Sequence, residues 1–333
     1  MSIIKNITKQ REFRTFLFLV TLFVLVGLIN SDFLSFKNLY NSLQSSLLYI
    51  VLSIGMTFVL LTGRIDISVG GILGLSAAVS GIILRDGGSI IVAVIVAILV
   101  GGFVGLLNGL GTTKLKIPSF IMTLGMLGIT RVVQVIYTDG LWVENLPVSF
   151  KQISQIDVFG VNLLSLIVIA TVILIHLYLS KTKKGRYFKA VGDNEEGAVL
   201  LGIPVKRYVI LSFIISGVCS AVAGLIFASQ IGFISTNAGS GIEMTVIAAT
   251  VLGGVSLSGG IGSVIGAGIG AIIITSINSA LVFMKVPAFW NDAISGSLLI
   301  TIVVIDSLLA RKNSKKAKKE RLNARVLQEE ASA

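Results

Sequence analysis

Long uncharged runs separated by short polar ones dominate this chain. Asn38–Gly63, Ile67–Leu84, Gly87–Thr113, Val158–Ser180, Tyr208–Ile242 and Met244–Met284 contain no Asp, Glu, Lys or Arg. About 20 apolar residues cross a bilayer's hydrocarbon core, so each run holds at least one crossing and the last two hold more. Met244–Met284 spans 41 residues, about two crossings at ~1.5 Å per residue. Gly259, Gly260 and Gly262 interrupt it where a hairpin is needed.

The pattern predicts ten helices, over 14–31, 43–62, 68–84, 89–111, 119–138, 160–180, 207–231, 242–257, 262–284 and 289–310. Continuous apolar runs exclude a strand-built barrel, whose strands alternate over ~10 residues. The fold class is an all-α integral membrane protein with glycine-rich breaks. One transmembrane domain covers 1–310, and a basic tail covers 311–333.

Charge orients the bundle. With the N-terminus inside, 22 of the 27 Lys and Arg fall on inner segments. Lys37, Arg85, Arg131, Lys151 and Lys285 fall at or near the outer side. The positive-inside rule therefore puts both termini in the cytoplasm. The net charge of +11 reads as this orientation signal plus attraction to anionic membrane lipid, not as a nucleic-acid footprint.

Composition agrees: 54% of residues are hydrophobic and 13% charged, against about 25% charged in soluble domains. Thr15–Ser31 is too long for a signal-peptide core, and no small-residue cleavage site follows it. Cys219, the single cysteine, lies in an apolar helix as a packing residue. His176, the single histidine, sits at the inner end of the sixth predicted helix. No His/Cys/carboxylate cluster suggests a metal or cofactor, and no nucleophile–base pair suggests an enzyme. No G-x-x-x-x-G-K-[ST] sequence occurs, so ATP bound in a P-loop would belong to another polypeptide.

The segment Lys181–Arg207 reads like soluble protein between two spans. It carries seven basic residues. Asp193 or Asn194 caps a short helix, Glu195 and Glu196 fill its first turn, and Gly202 and Pro204 stop it. A capped helix on the basic side suggests a docking element for a soluble partner.

Glycines mark close packing and irregular backbone. Gly101, Gly105 and Gly109 share one helix face, as do Gly262, Gly266 and Gly270. Such spacing lets helix backbones approach. It serves packing within one subunit, or a dimer seam, or a pathway wall. Two breaks resemble each other, LTGRIDISVGGILG (61–74) and LGGVSLSGGIG (252–262), and both fall toward the inner side. Irregular backbone at membrane depth must be buried in protein or line water. Arg64 and Asp66, two residues apart, need a turn or separate partners. Arg131, inside the fifth predicted helix, is expected to pair with Asp292.

Four stretches together resemble the membrane-spanning permease of ATP-binding cassette importers for simple sugars, the ribose/xylose/galactoside type. They are LTGRIDISVGGILGLSA (61–77), IPSFIMTLGMLGITRVVQVIYTDG (117–140), FKAVGDNEEGAVLLGIPVKR (188–207) and IAATVLGGVSLSGGIGSVIGAGIG (247–270). The first is similar to the family's T-G-G-I-D-L-S-V-G, with Arg64 in place of a glycine. The likeness covers about Leu39 to Asp306.

The resemblance implies a homodimer, or a heterodimer with a sister permease, in a bacterial cytoplasmic membrane. It also implies cytoplasmic ATP-binding cassette subunits and an extracytoplasmic sugar-binding protein. The Asn194–Gly202 helix is then the coupling helix, through Asp193, Asn194, Glu195, Glu196, Ala198, Leu201 and Gly202. Pathway or gate candidates are Arg64, Asp66 and Ser68 in the first break, with Asn108, Thr123, Arg131, Gln134, Tyr137, Asn278 and Asn291. Each polar candidate also suits interhelical bonding. Permeases for nucleosides or branched-chain amino acids share the broader fold. An ion-coupled secondary transporter would need charged midplane residues, and Asp66 is the one carboxylate expected at depth.

Overall fold

The computed structural model describes residues 11–158 and 160–287, with scattered positions between 290 and 304. Twelve α-helices and one small hairpin run through the described residues: α1 (Arg11–Ile29), α2 (Phe36–Leu61), α3 (Val69–Arg85), α4 (Ile90–Thr113), α5 (Ser119–Tyr137), α6 (Val148–Ile153), β1 (Asp157–Val158), β2 (Val161–Asn162), α7 (Leu163–Lys181), α8 (Lys183–Asp193), α9 (Glu195–Leu200), α10 (Val205–Ile231), α11 (Ile242–Leu252) and α12 (Val264–Phe283). Most of the tenth predicted helix, with Asn291 and Asp292, lies outside them, as does the tail 311–333.

Among the described residues six helices, α2, α4, α5, α7, α10 and α12, are long and apolar enough to cross a membrane. Three further apolar stretches are shorter: Thr15–Ile29, α3 and α11. At ~1.5 Å per residue, the 11 residues of α11 cover about half of a ~30 Å hydrocarbon core.

α2 and α10 form the centre. Of the most apolar window of α2, 78% is buried, against 17% for α7. A helix buried all round belongs inside the bundle, and one with an apolar exposed face belongs against lipid. α10 packs on α2, α3 and α4. Its closest approach is to α4, where a methyl added at Gly101 would strike the Gly217 carbonyl, one at Gly105 the Phe213 carbonyl, and one at Gly109 the Ile210 Cα. The first glycine stripe is thus a packing seam within the subunit. In the second stripe, Gly266 and Gly270 bring α12 onto the Gly253 and Ala249 carbonyls of α11.

Helix ends differ from the expected ones for local reasons. α2 starts at Phe36, seven residues before the predicted 43, because Ser35 caps it by accepting from Asn38 N. α7 starts at Leu163 because Asn162 accepts from Leu164 N and Ser165 N. The preceding residues turn through the hairpin, pairing Asp157 with Asn162. α11 stops at Leu252 instead of 257. Gly254 adopts φ +90°, and Ser256 N donates to Ile261 O at 2.9 Å, closing a loop.

Segments at the N-terminal end of α2 tie down locally. Val143 and Ile234 exchange backbone hydrogen bonds of 2.9 Å, and Trp142 stacks on Phe233 with ring centroids 5.4 Å apart. Phe150 of α6 is buried beneath them with Leu146 and Ala228.

Candidate functional site

The Lys181–Arg207 segment is a helix pair. α8 runs from a Thr182 cap, whose hydroxyl accepts from Gly185 N at 2.9 Å. Its side chains Phe188 and Val191 are buried with Phe58, Val205 and Tyr208. The Phe188 ring meets Phe58 and Tyr208 edge-on, each at 4.9 Å between centroids. Such pairs add about 0.5–1.5 kcal/mol beyond area burial. Asn194 then caps α9, its Oδ1 accepting from Gly197 N at 2.9 Å.

Ala198 is buried in the same cluster, and the Ala198 carbonyl accepts from Ile203 N at 3.0 Å. Gly202, at φ +73°, ends the turn, and its N–H donates to Val199 O at 2.9 Å. The opposite face is bare. Val199, Leu200 and Leu201 are 59%, 89% and 80% exposed, and Glu196 is exposed beside them.

This pair sits on both glycine breaks. A methyl at Gly192 would strike the Leu61 carbonyl, and would lie 2.7 Å from Gly260 N. Gly260 N itself donates to Leu61 O at 3.0 Å. A methyl at Gly260 would come within 2.9 Å of Asp193 Cα. The end of α2, the second break and the end of α8 thus form one knot of bare backbone, which only glycine allows.

Arg64 and Asp66 take separate partners. Arg64 Nη2 donates to Glu195 Oε2 at 2.8 Å, joining the first break to α9. Asp66 points inward and is fully buried. Its Oδ1 accepts from Ser68 N at 3.0 Å and Ser68 Oγ at 2.6 Å, and its Oδ2 from Ser216 Oγ of α10 at 2.8 Å. Asn108 Nδ2 donates to Ser68 Oγ at 2.8 Å.

α5 satisfies the break's backbone. Ile65 N donates to Ser119 Oγ at 3.3 Å, and Ile67 N to Thr123 Oγ1 at 3.1 Å. Buried backbone N–H groups need such partners. Asp66, Ser68, Asn108 and Thr123 therefore converge on one buried network.

The other candidates disperse. Arg131 Nη2 donates to Glu243 Oε1 at 2.8 Å. Its expected partner Asp292 lies outside the described residues, and Glu243 is a second buried carboxylate besides Asp66. Gln134 Nε2 donates to Ser235 O and Thr236 O at 3.2 and 3.3 Å. Tyr137 is exposed at the end of α5, about four turns from Thr123. Asn278 lines a cavity with Asn41, Ser45 and Tyr49 on one side and Val282 and Phe283 on the other. Asn291 lies outside the described residues. His176 Nδ1 and Ser263 Oγ lie 3.3 Å apart, and Cys219 packs against Gly55. Among the described residues no group of acidic, His and Cys side chains is placed to hold a metal.

Glu243, Ser216 and the helix α8 escaped the sequence reading. A lone carboxylate opening an apolar helix signals a buried counter-charge, and that signal was available for Glu243. In α8, Phe188 and Val191 lie three apart on one face among the basic residues.

Several apolar crossing helices, irregular backbone sealed by hydroxyls and a helix pair on one end define a multi-pass membrane transport subunit. Residues 38–303 match the family described as branched-chain amino acid transport system / permease component, and the chain belongs to it. Members are permease subunits of ATP-binding cassette importers, not enzymes. Its relatives include three proteins named autoinducer 2 import system permease protein LsrC. The one from Escherichia coli O9:H4 (strain HS) is 42% identical over 306 residues, 92% of this chain and 90% of the relative. The one from Enterobacter sp. (strain 638) is 43% identical over 305 residues, 92% and 89%. The one from Salmonella typhi is 41% identical over 306 residues, 92% and 88%. No solved structure matches the chain.

Proposed function

We propose that this chain forms the translocation pathway of an ATP-driven importer for autoinducer-2 or a closely similar sugar-like molecule. The solute assignment rests on the relatives named above, 41–43% identical over 92% of the chain. The coupling assignment rests on one observation: the bare apolar tip Val199–Leu201 stands on a helix pair that bears on both glycine breaks.

The pair is cytoplasmic in this reading, with both termini on the same side and ten crossings in all, as the Lys/Arg bias favours. α9 seats in a separate ATPase subunit. Leu200 and Leu201 supply the apolar anchor, which is where docking energy concentrates. Glu195 and Glu196 complement the partial charge of the helix start. When ATP closes the motor subunits, α9 moves with them. α8 transmits that motion to the end of α2 and the second break, and the Arg64–Glu195 bond transmits it to the first. Alternate packings of the breaks then open one side or the other. A second permease copy or a sister permease completes the pore, and an extracytoplasmic binding protein delivers the solute.

The test is copurification of the ATPase subunit with Leu200→Asp/Leu201→Asp. Association is expected to be lost while the permease stays folded. Retained association would defeat the docking assignment. Depletion of external autoinducer-2 by cells lacking this chain, at the rate of cells that have it, would defeat the solute assignment. The family's description makes a branched-chain amino acid the second reading. Uptake of labelled leucine through this chain would favour it.

A further inference from the structure

We infer that a cleft of mixed polar and apolar walls between α2, α10 and α12, at the end of the bundle remote from α8 and α9, is a binding site for a small neutral polyhydroxylated solute. The inference rests on the reading that the chain carries such a solute, and it says where the solute pauses.

Polar side chains form stripes at helical spacing. On α2 they are Asn38, Asn41, Ser42, Ser45 and Tyr49; on α12 they are Thr275, Asn278 and Ser279. Intervals of three and four residues place each set on one face. Asn41 and Ser45 are exposed. Polar groups without partners are disfavoured against hydrocarbon, so the exposed part of this face belongs against water or a polar ligand.

The stripes line two cavities, of about 710 Å³ and 460 Å³. Ser45 and Tyr49 border both, so the two lie side by side along α2. Each volume lies within the ~300–1,000 Å³ usual for small-molecule sites.

The larger cavity adds Tyr40, Gln44, Asp157 and Gln230. Some of these groups are braced from behind: Gln44 Nε2 donates to Ser165 Oγ at 3.0 Å, and Gln230 Nε2 to Gln44 O at 3.3 Å. Each amide thereby has one of its two N–H donors committed and one left. Ser42, 5% exposed, lines the smaller cavity, and its Oγ is buried with no hydrogen-bond partner. A buried hydroxyl left so favours any ligand that satisfies it.

The chemistry of the walls selects the solute. Hydroxyls, amides and tyrosines share the walls with Leu48, Phe227, Ile231, Ile242, Val282 and Phe283; Asp157 is the one carboxylate, and no Lys or Arg is among the lining residues. Tyr40 Oη already donates to Asp157 Oδ1 at 3.3 Å. An amino acid's carboxylate finds no cation here. A sugar-like molecule finds donors, acceptors and the faces of two tyrosines.

The test introduces Ser45→Cys into a Cys219→Ser background and treats intact cells carrying the whole import system with a membrane-impermeant thiol reagent. Modification follows folding and insertion, so misfolding does not enter. With a thiosulfonate as the reagent, labelling from outside, slowed several-fold by excess autoinducer-2 or ribose, with uptake reduced at least tenfold and restored when a reductant cleaves the mixed disulfide, is the expected result. Absence of labelling, labelling that neither solute slows, or labelled cells with undiminished uptake would each overturn the inference. Uptake by untreated wild-type cells reports separately on the proposed function.

Discussion

Arg64 Nη2 lies 2.8 Å from Glu195 Oε2 and so bonds the first glycine break to α9. The two side chains are 27% and 51% exposed, and pairs this wet are worth about 0.2–1 kcal/mol. Glu195→Gln should therefore shift thermal stability by less than about 1 kcal/mol. If the bond transmits motion, the same change should lower ATP-driven uptake several-fold. The exchange Arg64→Glu with Glu195→Arg should then recover part of it. Uptake assays on the three proteins at equal membrane levels decide this, and an unchanged rate in Glu195→Gln would remove Arg64 from the coupling route.

Glu243 is a buried carboxylate whose Oε1 has Arg131 and whose Oε2 has no hydrogen-bond partner. Removing Arg131 strands the charge. Arg131→Leu should cost about 1–3 kcal/mol, less than a wholly buried pair because Arg131 is 41% exposed. Arg131→Leu combined with Glu243→Leu should recover most of that loss, since apolar replacement of a buried pair is commonly neutral. Thermal unfolding in detergent measures both. A double variant no better than Arg131→Leu alone would mean the pair does not stabilise as described.

Glycines on the α4–α10 seam and glycines on the open face of α5 should behave oppositely. A side chain at Gly105 meets the backbone of Phe213 and Ile214, whereas one at Gly125 or Gly128 has nothing within 4 Å. Gly105→Leu should destabilise by at least about 1–3 kcal/mol through overpacking. Gly128→Ala should be neutral, or stabilise the subunit by up to about 1 kcal/mol through helix propensity. Size-exclusion profiles after graded heating compare them directly.

Asp66 receives three hydrogen bonds, two from Ser68 and one from Ser216. Asp66→Ala leaves those donors buried and unpaired, at about 1–3 kcal/mol each if nothing replaces them. Asp66→Asn keeps an oxygen for Ser68, and its amide can donate to the Ser216 hydroxyl. Folded yield should rank wild type, Asn, Ala. Equal yields for Asn and Ala would show that the network holds nothing together.

The sequence made the crossing segments legible because hydrocarbon demands long uncharged runs, and a missing charge is visible one residue at a time. The ends were less legible. Hydropathy continues through Val255 and Leu257 although Gly254 has already turned the chain at φ +90°. α8 carries no legible helix signal because its Lys and Arg mask the buried Phe188 and Val191. Pairing was least legible. Side of the membrane alone matches Arg131 to Asp292, whereas Glu243 is brought to it by the packing of α11 and α5 around α3, which no one-dimensional pattern displays. The separate fates of Arg64 and Asp66 were foreseeable from their spacing of two, but their partners, Glu195 and Ser216, depend on α8–α10 folding back onto the break.

The central claim is that power enters through the tip of α9. ATP-driven uptake of labelled autoinducer-2, measured with Leu200→Asp/Leu201→Asp at wild-type membrane level and unfolding temperature, tests it most directly. These side chains are 89% and 80% exposed, so the change should leave the fold intact. Uptake should fall to background. Uphill accumulation at the wild-type rate would contradict the account.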